Sequence, residues 1–203
     1  MKANKFTTLL FAALTAGMFT GCVNDDDTSL PAYTPVVFGE DFDANAVDGE
    51  DLNVPGWRNY AQEGTVLWTS QYYSLNNYAE FSGYQSGEAS NIGWLISPSI
   101  NLGQHANEKL VFLASQSYVT SAANSLEVLI STNYDGTNVE AATWEPLTAN
   151  LPTTASPYFE FVESGEISLA QYSGNVNIAF RVKGGNGGTI DGGYQVDSVR
   201  ITY

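Results

Sequence analysis

Residues Asn175–Lys183 read NVNIAFRVK. Every second position in this run carries a large apolar side chain: Val176, Ile178, Phe180 and Val182. The positions between them carry Asn177, Ala179, Arg181 and Lys183. Successive side chains of a β-strand point to opposite faces, so this alternation is typical of a strand with one face against a hydrophobic core. The run therefore predicts a half-buried β-strand.

Other parts of the chain from Val36 onward have the same β-forming character. Runs rich in Val, Ile, Tyr, Phe, Trp and Thr lie at residues 65–73, 78–84, 94–96, 109–115, 125–132, 144–148 and 158–162. Clusters of Ser, Asn, Gly and Pro separate them, and no segment has a sustained helical period. We predict an all-β fold, a single antiparallel β-sandwich of about nine or ten strands across residues 36–203.

The composition supports one globular domain and excludes a nucleic-acid-binding protein. The chain has 203 residues, of which 43% are hydrophobic, and this is enough to build one core. It carries 22 acidic residues against 7 Lys and Arg, for a formal net charge of -15. Phosphate binding needs clustered Lys and Arg, which this chain lacks. The single cysteine, Cys22, rules out an intramolecular disulfide.

The first 21 residues have the pattern of a cleaved export signal. Lys2 and Lys5 form a short positive segment, and residues 6–19 are uncharged and mostly apolar. A membrane-spanning helix, the alternative interpretation, needs about 20 apolar residues, and this run is shorter. We therefore assign residues 1–21 to a signal peptide and residues 22–35 to an acidic flexible tether.

The end of this segment resembles a bacterial lipoprotein signal. In Phe19-Thr20-Gly21-Cys22, a large apolar residue and two small ones precede the cysteine. The resemblance implies that Cys22 carries a diacylglyceryl thioether and an N-acyl chain, and two or more acyl chains give a stable membrane anchor. A lone buried cysteine is the alternative, but the residues that follow Cys22 are polar and acidic.

Three aspartates, at residues 25–27, follow Cys22 closely. They are similar to the acidic stretch that directs surface-exported lipoproteins of the Bacteroidetes to the outer face of the outer membrane. This resemblance implies an outer-membrane, lipid-anchored and surface-exposed protein. The alternative is that these residues only keep the tether soluble.

Four motifs in the domain follow one another in a known order, at residues 91–102, 126–136, 175–181 and 194–201. Together they resemble the choice-of-anchor J domain and related cleaved-adhesin domains, which are similar to the MAM domain and to several carbohydrate-binding modules. The resemblance implies a jelly-roll sandwich in an extracellular setting. It implies no single ligand, because function depends on sites added to a fold.

Two carboxylates are predicted to face inward. Period two places Glu40 on the same face as Phe38 and Phe42, and a bulge near residues 197–198 turns Asp197 toward the core. The jelly-roll resemblance implies a structural calcium between the first and last strands, with Glu40, Asp43 and Asp197 as ligands. The alternative is that backbone amides or Arg181 satisfy Glu40 and Asp197.

The sequence does not point to an enzyme. The only histidine, His105, lies in a polar stretch with no metalloprotease pattern around it, and no Gly-x-Ser-x-Gly nucleophile elbow is present. Residues 184–188 are rich in glycine but lack the lysine of a phosphate-binding loop. We predict a protein that binds rather than catalyses.

Aromatic residues are the candidate ligand-binding groups. The chain has 4 Trp and 12 Tyr, and the densest cluster contains Trp68, Tyr72 and Tyr73. Their rings suit stacking on sugars or on a protein partner, although packing in the core is the alternative. Two functions remain open: a non-catalytic module that binds a glycan or a host or matrix glycoprotein, and a structural subunit that docks an outer-membrane protein.

Overall fold

The computed structural model describes residues 34–44, 46–188 and 190–203. The signal peptide, Cys22 and nearly all of the tether lie outside these residues, so the predictions made for them stay predictions. Within the described residues there is no helix, and hence none long and apolar enough to cross a membrane.

The described residues form thirteen strands, of which nine have five to ten residues and four have two. They are β1 (Val36–Glu40), β2 (Arg58–Glu63), β3 (Thr69–Tyr73), β4 (Asn76–Ser82), β5 (Asn91–Ile96), β6 (Ile100–Asn101), β7 (Lys109–Ser117), β8 (Ser125–Ser131), β9 (Glu145–Pro146), β10 (Val162–Glu163), β11 (Ile167–Ser168), β12 (Asn175–Gly184) and β13 (Gly193–Thr202).

These strands pair into two antiparallel sheets, which confirms the predicted jelly-roll sandwich. The first sheet has the order β10-β7-β13-β4-β3, and β1 also pairs with β13 and β11 with β7. The second sheet has the order β2-β5-β12-β8-β9, and β6 also pairs with β12. Phe112 of the first sheet meets Phe180 of the second edge to face, at 5.1 Å between ring centroids. The hydrophobic core lies between the two sheets.

Strand β12 contains the sequence NVNIAFRVK, and its alternating residues point into two different parts of the protein. Its four alternating apolar side chains lie in the main core: Val176, Ile178, Phe180 and Val182. Ala179 faces the other way and joins a smaller cluster on the outer surface of the second sheet, with Trp94 and Leu129. The strand and its core-facing residues are confirmed, but the strand is more than half-buried, since Asn177 and Ala179 of the other face are buried too. A loop segment containing Val139 and Trp144 covers part of that outer side.

The predicted strand at residues 65–73 starts only at Thr69. The reason is the Asn59 side chain, whose Oδ1 accepts the Trp68 N–H at 3.0 Å and whose Nδ2 donates to the Trp68 carbonyl at 2.7 Å. The Leu52 N–H donates to the same Trp68 carbonyl at 2.8 Å, so a side-chain amide and one loop N–H take the place of a neighbouring strand for the Trp68 backbone. Strand propensity alone does not reveal a side chain that competes for the backbone hydrogen bonds of a strand.

Strand β13 changes partner halfway along its length. Its first half pairs with β4 as far as Val196, and its second half pairs with β1 from Val199 onward. The register slips between Asp197 and Arg200, and Ser198 has a φ of 51°. The bulge confirms the prediction for this place, since it lets Val196 and Val199 both lie in the core.

Candidate functional site

A groove of about 700 Å³ lies on the first sheet, on the face turned away from the core. Ala79 and Phe81 of β4 point into the core, so the alternating residues Tyr78, Glu80 and Ser82 point into the groove. The rest of its lining comes from β3, β7, β13 and four loops: Gln71, Ser117, Tyr118, Thr120, Tyr158, Phe159, Tyr84, Gly188, Asp191 and Gly193.

A chain of hydrogen bonds forms the floor of this groove. The Ser115 hydroxyl donates to Gln195 Oε1 at 2.6 Å, and Gln195 Nε2 donates to Glu80 Oε2 at 2.7 Å and to the Ser117 hydroxyl at 3.1 Å. Ser115 and Gln195 are completely buried. The buried amide therefore fixes the position of a partly exposed carboxylate that borders the groove.

The groove is acidic. Burial raises the pKa of the Glu80 carboxyl above its ordinary value, and the hydrogen bond from Gln195 lowers it in part. Asp191 brings a second carboxylate to the lining, and no Lys, Arg or His is among the lining residues. The lining therefore combines two carboxylates with neutral hydroxyl and amide groups and contains no positive charge.

An aromatic wall closes one side of the groove. The rings of Tyr118 and Tyr158 lie 4.7 Å apart, and Phe159 meets Tyr118 edge to face at 6.1 Å. Tyr118 is 60% exposed and Tyr158 is 49% exposed. Tyr118 and Phe159 have φ values of 56° and 60°, a conformation that bulky side chains rarely adopt. Such strain persists only where the surrounding structure holds the residue in place.

Gln116 is the residue that holds this wall. Its side chain is completely buried, its Nε2 donates to the Ser156 carbonyl at 2.5 Å, and its Oε1 accepts the Val119 N–H at 3.0 Å. Its backbone carbonyl accepts the Phe159 N–H at 2.8 Å. One buried amide thus joins the loop after β7 to the loop that carries Tyr158 and Phe159.

The structure corrects the prediction for Trp68. Its side chain is 0% exposed and packs in the main core, with its ring 5.8 Å from the ring of Phe81. A ligand on the surface has no access to a ring in this position. Trp68 therefore packs in the core, which was the alternative interpretation of the sequence.

Tyr72 and Tyr73 are exposed, at 47% and 73%, but neither lines the groove. Tyr73 lies near Tyr78: burial raises the pKa of the Tyr78 phenol, and Glu80, Asp48 and Tyr73 raise it further. The ligand-binding role predicted for Tyr72 and Tyr73 stays a prediction, at a position beside the groove.

Tyr118, Tyr158 and Glu80 were not among the site residues predicted from the sequence. Period two along 78–82 was a usable signal for Glu80, because it separates Ala79 and Phe81 from Tyr78, Glu80 and Ser82. No local pattern brings Tyr118 and Tyr158 together, since they lie forty residues apart in separate loops.

The predicted metal ligands lie around the point where β13 changes partner. Glu40 Oε1 accepts the Phe42 N–H at 2.9 Å, and Glu40 Oε2 accepts Trp57 Nε1–H at 3.1 Å. Across residues 34–44, 46–188 and 190–203, no three Asp, Glu, His or Cys side chains lie close enough together to hold a metal ion. The structure therefore does not bring Glu40 into one group with Asp43 and Asp197.

Asp197 and Asp43 themselves lie near each other. Asp197 is 4% exposed, and its carboxylate accepts hydrogen bonds from Asn76 Nδ2 at 3.0 Å and from the Ser198 N–H at 2.5 Å. Burial raises the pKa of the Asp197 carboxyl, those two hydrogen bonds lower it, and the charges of Asp43 and Asp41 raise it again. Arg181 is not the partner of these carboxylates, because Arg181 pairs with Glu127.

His105 stacks on Tyr203, with 3.6 Å between ring centroids and 15° between the ring planes. It lies on the loop before β7 and does not line the groove. The histidine is part of a surface stacking contact.

Comparison with solved structures supports the fold. The K3 cleaved adhesin domain of Lys-gingipain from Porphyromonas gingivalis is similar over 83% of this chain and 100% of that domain, at 20% identity and a TM-score of 0.52. The K1 cleaved adhesin domain of the same protein is similar over 81% and 96%, at 19% identity and a TM-score of 0.51. No protein-family model matches the sequence, and no curated protein matches it either.

Proposed function

We propose that this protein is a non-catalytic binding module that holds a glycan, or the glycan of a host or matrix glycoprotein, in the groove on the first sheet. The observation that carries the proposal is the combination of an exposed aromatic wall with a fixed polar floor. Sugar rings offer apolar faces that stack on Tyr rings, and hydroxyl groups that donate to carboxylate and amide oxygens.

Truncation of the aromatic wall is expected to abolish most of this binding. Tyr118→Ala and Tyr158→Ala each remove a partly exposed ring, and losing the apolar contact of one aromatic side chain costs about 1.5–3 kcal/mol. For a glycan that the wild-type protein binds on a glycan array, we expect the affinity to fall by roughly 10-fold to 100-fold, measured by isothermal titration calorimetry.

Tyr203→Ala is the matched control for these variants, because Tyr203 is 45% exposed and lies outside the groove. Equal loss of affinity in the control and in Tyr118→Ala would contradict a site in the groove.

We also propose that the protein is lipid-anchored through Cys22 in the outer membrane and exposed at the cell surface. The proposal rests on the lipoprotein-like residues 19–22 and on the aspartates that follow them. Cys22→Ala is expected to move the protein from the detergent phase to the aqueous phase in phase partitioning. Protease treatment of intact cells tests the outer face, since a protein on the inner face would survive it.

A structural calcium at Asp43 and Asp197 is a further part of the proposal. Calcium accepts six to eight carboxylate, carbonyl and water oxygens in loose geometry, so Asp43 and Asp197 would supply part of its ligand set. Such an ion would neutralise the mutual repulsion of Asp41, Asp43 and Asp197 and would join β1 to β13.

Calcium is therefore expected to raise the melting temperature of the wild-type protein, because a ligand that binds only the folded state stabilises it. Asp197→Asn keeps the size of the side chain and is expected to remove the calcium effect. Magnesium at the same concentration is the control. A melting temperature that responds neither to calcium nor to a chelator would rule the ion out.

A second function has one observation in its favour. The β3–β4 hairpin ends in Tyr73, Ser74 and Leu75, with Leu75 89% exposed and both turn residues at positive φ. Such a strained apolar tip suits a structural subunit that docks an outer-membrane protein partner. This alternative would be favoured if the protein bound no glycan on the array and co-purified with a membrane protein. The co-purification should then be lost in Leu75→Asn.

A further inference from the structure

We infer that the groove selects uncharged glycans and rejects glycans that carry carboxylate groups. This inference rests on the proposed function and narrows its ligand class. It comes from the charge of the groove lining and from the way that the lining carboxylate is held.

The groove has two carboxylates and no cation to offset them. Glu80 and Asp191 line it, and all five Lys and Arg residues of the domain lie elsewhere. Two of them are paired with acids outside the groove, Lys109 with Glu166 and Arg181 with Glu127. Arg58 and Lys183 belong to the second sheet, and Arg200 lies in the half of β13 that pairs with β1.

The Glu80 carboxylate is held in the groove by a buried hydrogen-bond donor. Its Oε2 is held by Gln195 Nε2, and Gln195 is itself completely buried and bonded to Ser115 and Ser117. A uronic acid in the groove would bring a third carboxylate against this fixed one, in a partly buried place where screening by water is weak. A sugar hydroxyl has the opposite effect, because it donates to the same acceptor.

The experiment compares two uncharged polysaccharides, β-glucan and mannan, with the same polymers after oxidation of part of their primary hydroxyl groups to carboxylates. For a polymer that the wild-type protein binds, we expect the oxidised form to bind at least about 10-fold more weakly at low salt, measured by titration calorimetry. We expect this discrimination to shrink as salt is added, since the Debye length falls from about 30 Å at 0.01 M to about 3 Å at 1 M.

The double variant Glu80→Gln/Asp191→Asn removes both charges from the groove and is expected to lower the discrimination by at least about fivefold. Glu50→Gln/Glu63→Gln is the matched control, because it changes the net charge by the same amount at two exposed residues outside the groove. The control is expected to discriminate as the wild-type protein does. If the double variant does not fold, Asp191→Asn alone and the salt titration test whether the groove charges cause the discrimination.

The outcomes separate the two proposals. Binding of the oxidised polymers as tightly as the uncharged ones, with loss in Tyr118→Ala, would overturn charge selection and leave the glycan-binding groove intact. Equal discrimination in the double variant and the wild-type protein would also overturn charge selection. If the protein bound none of the polymers, charged or uncharged, both the glycan-binding function and charge selection would be overturned.

Discussion

Replacement of Trp68 by alanine is expected to destabilise the protein by about 3–5 kcal/mol, the usual cost of truncating a fully buried Trp. Trp68 is 0% exposed and packs on Phe81, so its loss leaves a cavity between the two sheets. The free energy of unfolding from urea denaturation, followed by circular dichroism, measures the effect.

Trp68→Phe is expected to cost less than Trp68→Ala. It keeps most of the ring, and it removes the indole Nε1–H, which is buried without a hydrogen-bond partner among the described residues. Tyr73→Ala is the surface control and is expected to change stability by less than about 0.5 kcal/mol. If Trp68→Ala left stability unchanged and weakened only ligand binding, Trp68 would belong to a binding surface and its placement in the core would be wrong.

The second large effect is expected from Gln116→Leu, which keeps the size of the side chain and removes both of its polar groups. The Val119 N–H and the Ser156 carbonyl then lose their partners. An unsatisfied buried group costs about 1–3 kcal/mol, so we expect a loss of roughly 2–4 kcal/mol in the free energy of unfolding.

Ligand binding gives this variant a second readout. The loop that holds Tyr118 at positive φ loses the side-chain bond to the Val119 N–H and is expected to relax, whereas the backbone carbonyl of residue 116 still accepts the Phe159 N–H. Glycan affinity should fall about as far as in Tyr118→Ala, although no ring has been removed. Gln171→Leu, at an exposed turn residue, is the control for the substitution itself. Unchanged stability and affinity in Gln116→Leu would refute its positioning role.

The fold could be predicted because its evidence is local. Val176, Ile178, Phe180 and Val182 report the two faces of β12 directly, and the phase change between Val196 and Val199 reported the bulge at Asp197. Both signals depend on side-chain direction along one strand, which alternates with a fixed period. The order of the strands in the sheets needed more than this periodicity, and the resemblance to jelly-roll domains supplied it.

The candidate site could not be predicted in the same way. A stretch of Trp and Tyr has the same sequence whether it packs in a core or lines a binding face. Nothing in the sequence around Trp68 shows that Asn59 binds its backbone and that its ring points inward. Tyr118 and Tyr158 become neighbours through Gln116, whose side chain bridges two loops and whose backbone pairs with that of Tyr158. Contacts of this kind depend on tertiary distances, which a single sequence does not contain.

The pairing of β13 also bears on when the protein can fold. Strand β13 is central in its sheet and contacts β7, β4 and β1, yet it spans Gly193–Thr202, the most C-terminal of the thirteen strands. The first sheet therefore has no central strand until these residues have been synthesised, and Val36 must find Thr202 across nearly the whole domain. Pairing over such a distance in sequence is slow. Without β13, the strands β1, β4 and β7 lose the partner that they share, so the first sheet is not expected to assemble.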